Sequence, residues 1–141
     1  MALKLSLKPG ERFVINGAVI ANGDRRSSLI LHNRASILRE KDIMQEHEAD
    51  SPAKRIYFPI MLMYIDGSDV EHYYDEFVLR ITEFMAASKA PGVLDLCVQI
   101  SKEVMNRNYY KAVINCKKLI AYEMDVLANV TENLPEHAKV G

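Results

Sequence analysis

The chain has 141 residues, about half of them apolar and about a quarter charged, with a formal net charge of −1. That length suits one compact domain or two small subdomains around a shared core, and that composition excludes an intrinsically disordered chain. The near-neutral total conceals a division: residues 1–45 hold eight basic and four acidic side chains, net +4, while the remainder holds ten and fifteen, net −5. Such a division makes either a polyanion-binding face or two halves that attract each other or a second subunit.

The first third reads as short strands. Leu3, Leu5 and Leu7 alternate with Lys4, Ser6 and Lys8, the period of a half-buried strand. Pro9-Gly10 turns the chain, and Arg12 to Ile15 forms the next strand. Asn16-Gly17 is a hairpin signal because both residues tolerate positive φ. Ala18 to Ala21 returns, Asn22-Gly23-Asp24 turns again, and Ser28–His32 and Ala35–Arg39 supply a fourth and a fifth strand. So small a sheet or barrel needs a second layer over its apolar face.

Gln45 to Asp50 is a polar, acidic linker. Ser51-Pro52 reads as an N-cap followed by proline at the first helical position. The helix after it is apolar nearly all round, so it is buried on most sides, and Pro59 is expected to kink or split it. Ser68 and Glu71 have capping-box spacing before a helix to about Ala87, striped by Val70, Tyr74, Phe77, Ile81 and Phe84. Lys89 to Gly92 ends it. A third helix covers Val93–Met105, with Val93, Cys97, Ile100 and Val104 in line. A fourth runs from Tyr109 to about Thr131, striped by Val113, Cys116, Ile120, Met124 and Leu127. The expected architecture is therefore α+β: a basic, β-rich subdomain at 1–45 with a small antiparallel sheet or barrel of about five strands, a subdomain of about four helices at 51–132, and a flexible tail at 133–141.

Two cysteines, Cys97 and Cys116, form no disulfide framework and lack metal-ligand spacing. The scattered histidines offer no metal site, and no phosphate-cradling loop, nucleophile elbow or paired acid and base is visible. No enzyme and no cofactor are expected, and an endoribonuclease is disfavoured on the same ground. Lys4 and Lys8 interrupt any leader-like apolar stretch, and the run from Ile56 to Ile65 is about half of a membrane span. The expected location is the cytoplasm, away from any membrane.

The opening from Met1 to Ile20 resembles the start of the FlbT family, as do Asn22 to Arg26, Leu38 to Met44 and Pro52 to Phe58. The resemblance is dense to about residue 66 and rests beyond that on helical pattern and length. It implies post-transcriptional control of flagellin synthesis, through the 5′ untranslated leader of flagellin messenger RNA, with either repression or activation as the outcome. A second likeness is to the carbon-storage regulator family of RNA-binding dimers, whose five short strands interleave between two subunits. Leu5 to Glu11 resembles their first strand and turn, and Ile37 to Ile43 their last strand and its exit. The likeness implies a homodimer in which Arg39 stands at the main RNA-contacting arginine and Lys8 at a basic position of the first strand. Leu7 stands where that family usually carries a second basic residue.

These readings converge on one set of RNA-binding candidates. Lys4, Ser6 and Lys8 share a strand face opposite the leucines, and Arg39 joins them if the first and last strands of different subunits are neighbours. Arg25, Arg26 and Arg34, in or near turns, add phosphate contacts. An arginine fork suits guanine or phosphate, and a lysine supplies a point charge. The alternative is a protein-interaction module. The helical half, acidic outside and rich in Tyr and Met, would groove a partner helix through Tyr73, Tyr109 and Tyr110. Flagellin or a flagellin-secretion factor is the partner that family context implies.

Overall fold

The computed structural model describes residues 2–133, with side chains described to residue 127. Five strands precede four helices, as expected. The strands form two antiparallel units rather than one sheet. β1 (Leu3–Leu7) pairs with β4 (Ser27–Leu31), and β2 (Arg12–Ile15) sits between β3 (Ala18–Ala21) and β5 (Ile37–Arg39). Residues 134–141, most of the expected tail, lie outside the described residues.

The β2–β3 hairpin closes on Asn16 and Gly17, both at positive φ (50° and 83°), as a two-residue turn of matching twist requires. A Cβ on Gly17 would lie 2.9 Å from the Ile65 carbonyl oxygen. The hairpin tip therefore rests on the end of the first helix, an approach only glycine permits.

That helix, α1 (Pro52–Ile65), is the centre of the molecule and contacts both α2 (Val70–Ala87) and α4 (Tyr109–Asn133). Ser51 caps it by accepting from the Lys54 amide. Pro59 does not split it: the helix continues for 14 residues, with Pro59 itself buried. The missing donor costs one backbone bond, which packing on two sides offsets. The core gathers Ile56, Tyr57 and Ile60 of α1, Cys97 and Ile100 of α3 (Pro91–Met105), Cys116 and Leu119 of α4, and Val14 and Leu38 of the sheet. It is continuous from strands to helices. Phe13 points away from Val14 by strand alternation and is buried outside that cluster, as is Leu7.

Three local expectations are corrected. Ser68 and Glu71 do not form a capping box. Instead the Asp66 carboxylate accepts from the Ser68 amide (3.0 Å) and hydroxyl (2.6 Å), opening a 3-10 turn at Gly67–Asp69 that leads into α2. Pro91 does not lie in a break between helices but opens α3, where a missing N–H is harmless. The apolar stripe of α4 is buried only as far as Ile120, while Met124 and Leu127 are exposed. The reason is geometric. The Glu123 carboxylate accepts from the Ala53 amide at the start of α1 (2.9 Å), so α4 beyond that point runs past the end of its main partner.

Candidate nucleic-acid interface

The register of β1 and β4 sets Lys4 opposite Ile30 and Ser6 opposite Ser28, all of them exposed on one ribbon face. Lys8 follows at the end of β1, with its side chain exposed and its backbone N–H donating to Glu11 Oε1 (2.9 Å). The side chain of Asn22 then joins the neighbouring turn. Its Nδ2 donates to the carbonyls of Lys8 (2.8 Å) and Arg25 (2.9 Å), so the backbones of these two basic residues meet around one amide.

Arg39 enters from β5. It lies opposite Phe13 across β2, which makes Glu11 its diagonal neighbour on the same strand face. The guanidinium takes both Glu11 oxygens, with Nε to Oε2 at 3.0 Å and one terminal nitrogen to Oε1 and Oε2 at 2.9 and 2.8 Å. The same nitrogen donates to the Ser6 carbonyl at 2.6 Å. Arg39 thus joins the three-stranded unit to the β1–β4 ribbon within a single chain, although β1 and β5 are not paired strands. Glu11 is held below the usual carboxylate range, first by the Lys8 backbone N–H and then by Arg39.

Lys8, Gly10, Glu11, Arg39, Glu40 and Lys41 line a cleft of about 380 Å³. Lys8 and Lys41 have no ion-pair partner among the described residues. One end of the ribbon therefore gathers Lys8, Arg25 and Arg39. Arg26 is exposed in the turn beside Arg25. Arg34 is exposed in the loop after β4, at the Leu3 end of the ribbon, roughly 17 Å from Lys8 at strand rise. The fold does not gather it with the others. Sequence reasoning singled out neither Glu11 nor Lys41 as part of this site. The pairing of Glu11 with Arg39 follows only from the β2–β5 register, and Lys41 could have been found from its place two residues after Arg39.

The three tyrosines occupy different settings. Tyr73 and Tyr109 are partly buried against the core, and Tyr73 lines a second groove with Arg55, Phe58 and Arg80. Tyr110 is 51% exposed and rests against Tyr64, with ring centroids 5.6 Å apart. Cys97 and Cys116 are both buried and free. Burial pushes the Cys97 thiol up to about 11 and raises that of Cys116 further. No group of His, Cys, Asp and Glu among the described residues could hold a metal ion. Among them, too, no helix is long and apolar enough to cross a membrane.

No solved structure matches this chain. Curated relatives do. The chain is 58% identical over 131 residues to the probable flagellum biosynthesis repressor protein FlbT of Caulobacter sp. (strain K31), covering 93% of this chain and 100% of that one. It is 52% identical over 141 residues to the flagellum biosynthesis repressor protein FlbT of Caulobacter vibrioides (strain ATCC 19089), covering both chains completely. A probable repressor of the same description from Rhodopseudomonas palustris (strain TIE-1) is 36% identical over 128 residues, covering 91% of this chain and 99% of that one. Residues 3–127 match the family described as "Flagellar protein FlbT", and to that family the chain belongs.

Proposed function

We propose that this chain is a post-transcriptional regulator of flagellin expression. It binds the 5′ untranslated leader of flagellin messenger RNA with its β-rich half and alters the translation and stability of that messenger. Its relatives are named as repressors of flagellum biosynthesis, which supports a regulatory role in the same process. The observation that carries the RNA assignment is the placement of Lys8, Arg25 and Arg39 at one end of the β1–β4 ribbon, beside Lys41, which has no ion-pair partner among the described residues. Exposed cations around a cleft suit the phosphates of an unpaired RNA loop, whose base edges are open to readout. The regulator acts in the cytoplasm and has no catalytic step of its own. It acts as a homodimer. Val19 at 74% exposure and Ile30 at 58%, on strands that each keep one unpaired edge among the described residues, support a contact with a second copy.

The test is a gel shift of a flagellin leader RNA across a salt series. The wild-type protein is expected to select the leader over an unrelated RNA, with affinity falling steeply as salt rises. Lys8→Glu is expected to weaken binding without changing the melting temperature. Leader binding no tighter than that of the unrelated RNA would refute the assignment.

A second reading has its own observation. A groove of about 520 Å³ lies between the start of α1, the end of α2 and the far part of α4, floored by Phe84, Tyr122 and Val126. Arg55 and Lys89 on its wall have no ion-pair partner among the described residues. An apolar helix with acidic flanks, supplied by flagellin or a flagellin-secretion factor, fits that chemistry. A pull-down performed with and without nuclease separates the two readings.

A further inference from the structure

We propose that the cleft between β1, β5 and the first turns of α4 receives an unpaired RNA base on the face of Tyr110, an inference that rests on the RNA-binding reading above. The cleft has a volume of about 490 Å³, within the range that holds a small ligand, and its floor is Leu5, Ile37 and Val113. Arg39, Lys41 and Lys117 stand around it. Two of these, Arg39 and Lys41, also line the cleft at Lys8 and Gly10. The two clefts therefore share a wall, and a single strand crossing that wall meets cations first and aromatic rings next.

Tyr110 is built as a platform. Its ring is half exposed and leans on Tyr64, with an interplanar angle of 43°. Tyr64 cannot swing away. Its hydroxyl accepts from the Ile37 amide at 2.9 Å and donates to the Ile37 carbonyl at 3.0 Å. A tyrosine held from behind by a second, anchored tyrosine loses little freedom when a base stacks on it. Charge completes the chemistry. Lys117 is bound to Asp42, and Arg39 is largely engaged by Glu11, but Lys41 is exposed and has no ion-pair partner among the described residues. An aromatic face beside an unengaged lysine is the combination by which proteins hold single-stranded RNA: the base stacks and the phosphate is neutralised.

The experiment uses flagellin leader RNA carrying 2-aminopurine at successive unpaired positions, titrated with the full chain. At one position wild-type protein is expected to quench the fluorescence, and Tyr110→Phe, which keeps the ring, is expected to quench and bind equally. Tyr110→Leu keeps apolar bulk without a stacking face. It is expected to lose the quench and bind about tenfold more weakly, with an unchanged melting temperature because Tyr110 is exposed. Lys41→Ala, a surface change that does not threaten folding, is expected to weaken binding and flatten the slope against log salt by about 0.7. Wild-type binding that Tyr110→Leu leaves intact, with its quench, overturns the stacking site while the RNA reading stands. Unchanged RNA affinity with a shifted sedimentation coefficient would make the cleft a subunit contact and also overturn it. If wild-type protein fails to bind the leader, both readings fall together.

Discussion

The guanidinium of Arg39 spends its charge on the carboxylate of Glu11, which is buried more deeply than its partner and accepts through both oxygens. An arginine expected to meet RNA is thus already engaged in the free protein. The charge left for a polyanion at this end of the ribbon belongs mainly to Lys8, Arg25 and Lys41.

One prediction concerns affinity. Glu11→Gln removes the anion and frees part of the Arg39 fork. Binding to leader RNA at low salt should tighten, and the slope against log salt should steepen by up to about 0.7, one further phosphate contact. Filter binding at several salt concentrations measures both. Weaker binding in this variant would mean that the Glu11 clamp holds Arg39 in its binding position rather than competing for it.

The same pair predicts an acid limb. The folded-state pKa of Glu11 lies below its ordinary value of 4.5, so the stability it contributes is present above that value. It is lost as pH falls below 4.5 and through the folded pKa. Melting temperatures between pH 7 and pH 3 should fall for the wild type. The loss should be smaller for Glu11→Gln, which has no proton to take up. Parallel curves for the two proteins would show that the clamp carries no pH-dependent stability.

The thiols predict an alkaline limb. Burial raises Cys97 from 9.0 to about 11, so its contribution is intact below pH 9 and lost as pH rises towards 11, where the unfolded chain ionises first. Cys97→Ala should lose stability at neutral pH through the missing side chain, and the gap should narrow as pH climbs. In the native protein at pH 8, neither cysteine should react with an aromatic disulfide reagent until denaturant is added. Rapid labelling of native protein would contradict their burial.

Gly17 supports a backbone prediction. At φ 83° and with the Ile65 carbonyl 2.9 Å from a prospective Cβ, Gly17→Ala suffers both left-handed strain and a close contact. The expected loss is about 1–3 kcal/mol, read from urea denaturation. Because the tip of the hairpin is displaced and the basic ribbon is not, RNA affinity should hardly change.

What the sequence makes legible is periodic and local. Alternating Leu3, Leu5 and Leu7 mark a strand, Asn16-Gly17 a hairpin, and the line Val93, Cys97, Ile100 and Val104 a buried helix face. The misread points are competitions between neighbours. Asp66 takes the amide and hydroxyl of Ser68 and caps a 3-10 turn ahead of α2, and Pro91 begins a helix where a break was expected. The stripe of α4 continues past the helix that covers it, a length mismatch between α1 and α4 that neither helix records alone. The candidate site is less legible still. Lys8 follows from the alternation of the first strand as well as from resemblance, Arg39 from resemblance alone. Their relation to Glu11, Ser6 and Asn22 depends on strand register over separations of up to 33 residues, which no local pattern encodes.

Tyr64 carries the last prediction. In the β2–β5 pairing the amide and carbonyl of Ile37 turn away from β2, and the Tyr64 hydroxyl satisfies both. Tyr64→Phe keeps the ring and leaves two part-buried backbone groups without their partner. The expected cost is about 1–3 kcal/mol, more than a single exposed hydrogen bond would give. Hydrogen exchange gives the sharper reading. Protection of the Ile37 amide should collapse in the variant while that of the Leu38 amide, on the β2 side of the strand, persists. If both amides stay protected, a second chain or another part of this one covers the edge of β5, and the anchoring of Tyr64 behind Tyr110 is not what holds that edge closed.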